Sequence, residues 1–317
     1  MRPPSLRPHR PPVGPPRPVL TFGPFFLDRP GRPAPMELKA TYPAEGRDMP
    51  VLLVSHGHGA SLYLSSVRGY APLVEFWASQ GFVVIQVTHL DSATLALDAT
   101  GPEGATFWRS RALDISALID RLDDIAAVTP GLAGRLDTAR IAVAGHSLGA
   151  QTVTMLCGAR MTDPRSGEVV DLTESRLAAA VAIAPPGAGA DLADAARRRY
   201  PELAGIDLAT QSRPALVLVG DQDFSPSFSA RRDWRSDAFH LAPPPRTLVT
   251  LFGADHLLGG ISGWDTRETS QDDPAMLADV QRVTWAYLQG ALGLDASAWT
   301  QVAADLAARG AGRVEHK

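Results

Sequence analysis

A Gly-x-Ser-x-Gly pentapeptide at residues 145–149 is the feature that most constrains how this chain can fold. Residues 140–144 have the apolar composition of a short buried strand. Residues 148–159 lack proline and are rich in Ala, Leu, Met and Thr, which predicts a helix. A serine between a strand and a helix can occupy a strained turn that lifts its hydroxyl above a sheet, where a Cβ at either flanking glycine would crowd the turn. This setting predicts that Ser147 is a nucleophile rather than part of an ordinary glycine-rich turn.

A serine nucleophile needs a neutral imidazole to take its proton, and His256 is the histidine best placed to supply one. Residues 246–252 read as a late strand, and His256 follows its end in a loop. The other histidines outside the motifs are expected in flexible chain ends (His9 and His316) or in a proline-bounded loop (His240). We therefore expect His256 to be the base, the alternative being an ordinary surface histidine.

The acid that orients the base is expected between serine and histidine in chain order. Residues 214–219 form a near-continuous apolar run, as in a strand buried on both faces, and two carboxylates follow it. We favour Asp223, because an Asp-x-x-Pro arrangement after such a strand is the usual position of the acid. Asp221 is the alternative, and is otherwise expected to make local backbone hydrogen bonds in the loop.

The predicted reaction also needs two backbone N–H donors for the carbonyl oxygen that becomes negative. One is expected to be the amide of Leu148, directly after the serine. The other is assigned to the amide of His58, in the Gly-rich loop after a predicted strand at 50–55. The side chains of His56 and His58 could instead suggest a metal site, but no Asp-His pair follows them and no further Cys or His cluster completes a ligand set. We expect neither a metal nor another cofactor.

Three motifs together resemble the α/β-hydrolase superfamily: residues 54–60, 78–84 and 145–149. From about residue 50 to 158 the chain is similar in particular to the group of platelet-activating-factor acetylhydrolases, chlorophyllases and dienelactone hydrolase-like proteins. The second motif and an acid after the seventh strand also resemble cutinase-like polyester hydrolases. The resemblance implies a mostly parallel central sheet with helices on both faces, and a serine hydrolase.

The chain departs from two of these relatives. Acetylhydrolases place their acid one strand earlier, but residues 182–187 contain no carboxylate. Dienelactone hydrolases proper use a cysteine nucleophile, whereas this motif carries Ser147. The resemblance therefore supports a serine hydrolase more firmly than any particular substrate.

The domain organisation is expected to be simple. Residues 1–18 contain eight prolines and four arginines and should form a disordered or extended tail, while residues 19–317 should form one α/β-hydrolase domain. Along that domain, strand and helix patterns alternate, from an antiparallel opening pair at 22–26 and 38–42 to a final amphipathic helix beginning at Pro274. One long helix is expected to run through residues 115–126.

Composition and charge limit which partners and which location are expected for this protein. A net charge of −4 without a basic stripe gives no reason to expect nucleic acid. No apolar run is long enough to span a bilayer and the N-terminal segment lacks the apolar core of a signal peptide, so a cytoplasmic location is the expectation. The single Cys157 excludes an internal disulfide and is expected to be a buried side chain. The oligomeric state stays open.

The substrate is expected to carry an apolar group. Three irregular segments, at 160–176, 224–245 and 257–273, are predicted to surround the mouth of the site, and they carry the proposed substrate contacts Phe224, Leu257 and Trp264. The predicted activity is hydrolysis of a small-molecule carboxylic ester through an acyl-enzyme. Acyl transfer or amide cleavage by the same residues is the second possibility, and a non-catalytic ligand-binding protein is the third.

Overall fold

The computed structural model describes residues 13–263 and 265–317, in which strands and helices alternate along the chain. The strands are β1 Val19–Leu27, β2 Met36–Pro43, β3 Met49–Ser55, β4 Val83–Thr88, β5 Leu136–His146, β6 Arg160–Thr162, β7 Val169–Val170, β8 Leu177–Ile183, β9 Ile206–Asp207, β10 Ala215–Gly220, β11 Arg246–Leu251 and β12 Gly312–His316. The helices are α1 Ala71–Ser79, α2 Trp108–Asp120, α3 Leu122–Val128, α4 Leu148–Leu156, α5 Asp194–Arg199, α6 Asp237–His240, α7 Pro274–Ala291 and α8 Ala296–Ala308.

A large, mostly parallel sheet forms the centre of the described structure. Its strand order is β1-β2-β4-β3-β5-β8-β10-β11-β12. The strands from β4 to β11 in this order run parallel, while β2 pairs antiparallel with β4 and β12 pairs antiparallel with β11. Strands β7, β6 and β9 form a small separate sheet. The predicted α/β class with a mostly parallel sheet is confirmed.

Helices cover both faces of this sheet, and the alternation of side chains along the strands explains why. In β3, Leu52 and Val54 pack into a core with residues of α1, α7 and α8. Val51 and Leu53 point to the opposite face and pack with residues of α2, α3 and α4. Because successive side chains of a strand point to opposite faces, a strand between two helix layers must be apolar at every position, as β3 is.

The strand order places two loops side by side. From β3 the chain passes through α1 to β4 on one side, and then crosses to β5 on the other side of β3. The last residue of β3, Ser55, is paired with Gly145 near the end of β5. The crevice beyond the carboxyl ends of strands at such a switch point is where open α/β sheets usually bind ligands. It receives the loop that carries His58 and the turn that carries Ser147.

The carboxyl-terminal region differs from the prediction. The helix beginning at Pro274 is not the last element, because α8 and β12 follow it. His316, expected in a flexible end, lies in β12, where its Nδ1 is 3.0 Å from the Thr247 hydroxyl of the neighbouring strand. β12 thereby pairs with β11 and forms the edge of the sheet. Its five residues alternate in no apolar pattern, so the sequence alone does not predict this strand.

A smaller difference concerns the helix at 115–126. The helix is interrupted at Arg121, whose φ of −118° lies outside the helical range and separates α2 from α3. Of the predicted tail, residues 1–12 lie outside the described residues, while the Arg17 amide donates a 2.9 Å hydrogen bond to the carbonyl of Ser79. Within the described chain, no helix combines the length and the apolarity needed to cross a bilayer.

Candidate active site

Ser147 occupies a strained turn between β5 and α4. Its backbone has φ 55° and ψ −117°, a conformation that a residue with a side chain rarely adopts. The turn is held on both sides: the Ser147 amide donates to the carbonyl of Ile183 at 2.8 Å, and its carbonyl accepts from the amides of Ala150 and Gln151 in the first turn of α4. Ser147 is partly exposed although the residues on either side of it are buried. The side chain is thus presented at the end of the sheet.

The two glycines of the pentapeptide are required by close backbone approach. A Cβ at Gly145 would lie 2.2 Å from the carbonyl oxygen of Gly149, and a Cβ at Gly149 would lie 2.0 Å from the carbonyl oxygen of Ser55. Both distances are far below van der Waals contact, and in both cases the opposing atom is backbone that cannot rotate away. The prediction that a Cβ at either position would crowd the turn is confirmed.

His256 and Asp223 are joined by a short hydrogen bond. His256 Nδ1 lies 2.7 Å from Oδ2 of Asp223, which is 7% exposed. The other carboxylate oxygen, Oδ1, is 2.7 Å from Nε of Arg235, whose guanidinium also donates to the carbonyl of Ala184. The three side chains form an Arg–Asp–His array at the carboxyl ends of β10 and β11. Sequence reasoning missed Arg235, which no motif marks.

The alternative acid, Asp221, has a different role. It is exposed, and its Oδ1 accepts from the amide of Gly253 at 2.7 Å and from the side chain of Gln222. These bonds tie the loop after β10 to the loop after β11. Of the two carboxylates, the structure brings Asp223 to His256 and assigns local loop bonds to Asp221.

The electrostatics of the array favour a neutral imidazole beside an ionised carboxylate. Burial lowers the pKa of His256, the charge of Arg235 lowers it further, and the bond to Asp223 only partly opposes them, so the pKa lies below its ordinary value of 6.5. Burial by itself would raise the pKa of Asp223, but the bonds to His256 and Arg235 outweigh it and lower this pKa. A neutral imidazole that donates its Nδ1 proton to a carboxylate has a free lone pair on Nε2, as a general base requires.

Ser147 and His256 line the same cavity. Both residues belong to the described chain, and the structure records no hydrogen bond between the Ser147 hydroxyl and His256 Nε2. Such bonds are often long in ligand-free enzymes and shorten when substrate binds. The structure therefore brings Ser147 and the Asp223–His256 pair to one cavity, with no hydrogen bond between the serine hydroxyl and the imidazole.

His146, inside the pentapeptide, links three loops of the site. Burial lowers its pKa to about 3, with the charge of His256 adding to this effect, so the ring is neutral. Its Nε2 is 2.9 Å from the carbonyl of His256, which can only accept, and its Nδ1 is 3.0 Å from the hydroxyl of Tyr70. That hydroxyl oxygen in turn accepts from the amide of Gly57 at 2.9 Å. The Gly57 amide therefore donates to Tyr70, the Tyr70 hydroxyl donates to Nδ1 of His146, and Nε2 of His146 donates to the His256 carbonyl. These hydrogen bonds connect the loop after β3 to the loop that carries His256.

The two predicted oxyanion donors have free amides. Leu148 is the first residue of α4, and the first N–H groups of a helix have no partner within it. Neither the Leu148 amide nor the His58 amide has a hydrogen-bond acceptor among the described residues. Both residues line the cavity beside Ser147. Both amides are therefore available to donate to a group bound in the cavity.

A cavity of about 390 Å³ opens at Ser147. One wall is aromatic: the Tyr200 and Phe228 rings are stacked at 6.1 Å between centroids, and Phe228 stacks on Trp234 at 6.4 Å. Of the predicted substrate contacts, Phe224 and Leu257 line the cavity, and Trp264 lies outside the described residues.

The predicted mouth segments are partly wrong. Residues 160–176, all of them described, do not line the cavity, because they form β6 and β7 of the small sheet instead. The stretch between β8 and β9 takes their place and supplies Pro186, Tyr200 and Leu203. Its short helices carry no periodic pattern or motif that would have identified them as a cavity wall.

The His56 side chain is occupied by hydrogen bonds within the protein. Its Nδ1 bonds to the carbonyl of Gly57 at 2.7 Å and its Nε2 accepts from the amide of His89 at 2.9 Å. Burial and the charge of Arg111 lower its pKa well below the ordinary value. Across residues 13–263 and 265–317, no group of three His, Cys, Asp or Glu side chains has the arrangement of a metal site. His56 therefore supports the loop after β3.

Comparison with models of known protein families gave no match for this chain, and neither did comparison with curated proteins.

Proposed function

We propose that this protein is a serine hydrolase of carboxylic esters with the α/β-hydrolase fold, working through an acyl-enzyme. One observation carries the proposal. The 2.7 Å bond between His256 and Asp223 lies in the cavity that also contains Ser147 on its strained turn. The chain order of serine, acid and base, and their positions after β5, β10 and β11, agree with this fold.

In the first half-reaction Ser147 Oγ attacks the ester carbonyl carbon while His256 Nε2 takes the hydroxyl proton. The carbonyl oxygen becomes negative and accepts hydrogen bonds from the amides of His58 and Leu148. Collapse of the tetrahedral intermediate breaks the bond to the alcohol oxygen, which receives the proton from His256. Alcohol leaves, and the acyl group remains on Ser147.

In the second half-reaction water replaces the alcohol. His256 Nε2 takes a proton from the water molecule as its oxygen attacks the acyl carbonyl carbon. The same two amides hold the oxyanion, and collapse returns the proton to Ser147 Oγ and releases the carboxylic acid. Asp223 stays ionised throughout, keeps the Nδ1 proton of His256 in place and stabilises the imidazolium.

The aromatic wall supports an apolar group on the substrate. Tyr200, Phe228 and Trp234 offer stacked ring surface in the cavity that Ser147 also lines, and apolar lining with a few polar groups is typical of small-molecule sites. A volume of about 390 Å³ is near the lower end for such sites, which favours a compact acyl or alcohol group over a long unbent chain.

Labelling with a fluorophosphonate, followed by turnover of p-nitrophenyl esters, tests the proposal. Wild type should take up one equivalent of label and hydrolyse p-nitrophenyl butyrate. Ser147→Ala should take up none and lose turnover on the order of 10⁴-fold or more, with an unchanged circular dichroism spectrum. Ser225→Ala, which removes another serine hydroxyl that lines the cavity, is the matched control and should still be labelled. Esterase activity that survives in folded Ser147→Ala protein contradicts the proposal.

A further inference from the structure

A second Arg–Asp–His array faces the same cavity. His58 Nδ1 lies 3.0 Å from Oδ2 of Asp91, and the other carboxylate oxygen of Asp91 pairs with the guanidinium of Arg111. The Asp91 and Arg111 side chains are fully buried, whereas the His58 ring is 30% exposed and lines the cavity. The arrangement repeats that of His256, Asp223 and Arg235.

The array is firmly anchored. Arg111 Nε donates to the Thr152 hydroxyl of α4 at 3.1 Å, and the guanidinium also reaches the Ser55 hydroxyl and the carbonyl of His56 at the end of β3. Burial would raise the pKa of Asp91, but the charge of Arg111 and the bond to His58 outweigh it and hold this pKa well below its ordinary value. An ionised Asp91 can only accept, so His58 Nδ1 carries the proton of their hydrogen bond.

His58 differs from the buried histidines around it in what its second nitrogen does. In His56, His89 and His146 both ring nitrogens are bonded within the protein. In His58, Nε2 has no partner among the described residues. Because Nδ1 holds its proton toward Asp91, a neutral ring presents a lone pair at Nε2, which accepts a hydrogen bond and cannot donate one.

We propose that the His58 side chain binds a hydroxyl group of the substrate, so that the preferred substrates are hydroxyl-bearing carboxylic esters. This inference rests on the proposed function. The His58 amide is also the proposed oxyanion donor, so the hydroxyl lies within about one side-chain length of the scissile carbonyl. The edge-to-face contact of the His58 ring with Tyr200, at 5.7 Å between centroids, sets this polar group beside the aromatic wall.

Matched ester pairs that differ by one hydroxyl test the inference. On the acyl side, p-nitrophenyl butyrate is compared with its 2-hydroxy and 3-hydroxy analogues. On the alcohol side, ethyl butyrate is compared with 2-hydroxyethyl butyrate, and the hydrolysis of both is measured from the acid that they release. For wild type, kcat/KM for at least one hydroxylated member should exceed that of its partner by about 3- to 10-fold, the value of one hydrogen bond. Comparison of the acyl and alcohol series shows whether the hydroxyl that His58 binds lies on the acyl or the alcohol side of the ester.

Variants assign the preference to His58. His58→Phe keeps the amide and a ring against Tyr200 but removes the acceptor, so the ratio within each pair should fall to about one. His58→Gln retains a side-chain acceptor and should keep part of the preference. His240→Phe changes a histidine that does not line the cavity, and should leave the ratio at its wild-type value.

Three outcomes overturn the inference. Wild type that hydrolyses p-nitrophenyl butyrate and shows no hydroxyl preference in any pair excludes a hydroxyl-binding group. A preference unchanged in His58→Phe assigns the hydroxyl to another cavity residue, such as Glu268. A wild-type protein that neither hydrolyses the plain ester nor takes up fluorophosphonate at Ser147 refutes the hydrolase proposal itself, and the inference with it.

Discussion

Asp223→Asn tests the geometry of the array formed by Arg235, Asp223 and His256, because the carboxylate of Asp223 accepts from two donors at once. His256 Nδ1 bonds to Oδ2 and Arg235 Nε to Oδ1, each at 2.7 Å. An asparagine offers only one oxygen, so one donor must face its amide NH₂ group. A guanidinium stays protonated, whereas a neutral imidazole can move its proton from Nδ1 to Nε2. The asparagine oxygen should therefore face Arg235 and its NH₂ group should face His256.

The consequence is a base in the wrong tautomer. With its lone pair on Nδ1 and its proton on Nε2, His256 cannot take the proton of Ser147. Catalytic triads that lose the correct tautomer in this way lose about 10⁴-fold in kcat. At 1.36 kcal/mol for each tenfold step, this corresponds to about 5.5 kcal/mol of transition-state stabilisation. Because the site of Asp223 is buried, water cannot substitute for the missing acceptor.

The assay is kcat for p-nitrophenyl butyrate, with Asp221→Asn as the matched control. Asp221 is exposed, and an asparagine oxygen can still accept from the Gly253 amide, so kcat should stay within about threefold of wild type. Adding Arg235→Gln to Asp223→Asn should restore part of the lost activity. The glutamine amide can present its oxygen to the asparagine NH₂ group, which frees the asparagine oxygen for His256.

Two results would refute this reasoning. Asp223→Asn protein that retains more than about a tenth of wild-type kcat would mean that Asp223 does not control the His256 tautomer. A double variant no better than Asp223→Asn alone would mean that Arg235 does not dictate how the asparagine turns.

Three further expectations follow from the described contacts. In the pH profile of kcat/KM, the acid-side midpoint should lie below 6.5, because the lowered pKa keeps His256 neutral at lower pH; a midpoint above this value contradicts the electrostatics. Gly149→Ala should lower the free energy of unfolding in urea by about 3 kcal/mol or more, since its Cβ would meet backbone at 2.0 Å. Gly290→Ala, a helical position where the nearest atom to the new Cβ is the Cβ of Trp299 at 3.8 Å, is the control and should raise this free energy by up to about 1 kcal/mol. Tyr70→Phe leaves the Gly57 amide and Nδ1 of His146 without partners and should cost about 1–3 kcal/mol of stability together with a lower kcat; wild-type values for both would refute the proposed hydrogen-bond network.

The sequence predicted the parts of this structure that local chemistry determines. Continuous apolar runs predicted the buried strands β3 and β10, because a strand between two helix layers has no polar face. The glycines around Ser147 predicted a turn that excludes Cβ atoms. These signals work because the residues that cause the structure are neighbours in the chain.

Features that depend on distant contacts were not predictable in this way. Arg235 meets Asp223 only where the connection between β10 and β11 folds back on itself, and Tyr200 joins the cavity wall from a stretch with no motif. The roles of the histidines were similarly hidden: the bond between Tyr70 and His146 spans 76 positions. β12 was missed because its exposed residues at the sheet edge lack a buried pattern, and only pairing with β11 makes them a strand.

At the buried carboxylates near the site, arginine has a physical advantage over lysine. All but two of the 30 lysine and arginine side chains are arginine. Three buried carboxylates near the site, Asp91, Asp114 and Asp223, are each paired with a guanidinium. A buried carboxylate is costly unless several donors reach its oxygens, and a planar guanidinium that stays charged supplies them in a fixed geometry, while a lysine can lose its proton when buried. Arginine therefore allows Asp91 and Asp223 to stay ionised next to His58 and His256. Each carboxylate then accepts a hydrogen bond from Nδ1 of its histidine, and Nε2 of each ring is left without a partner among the described residues.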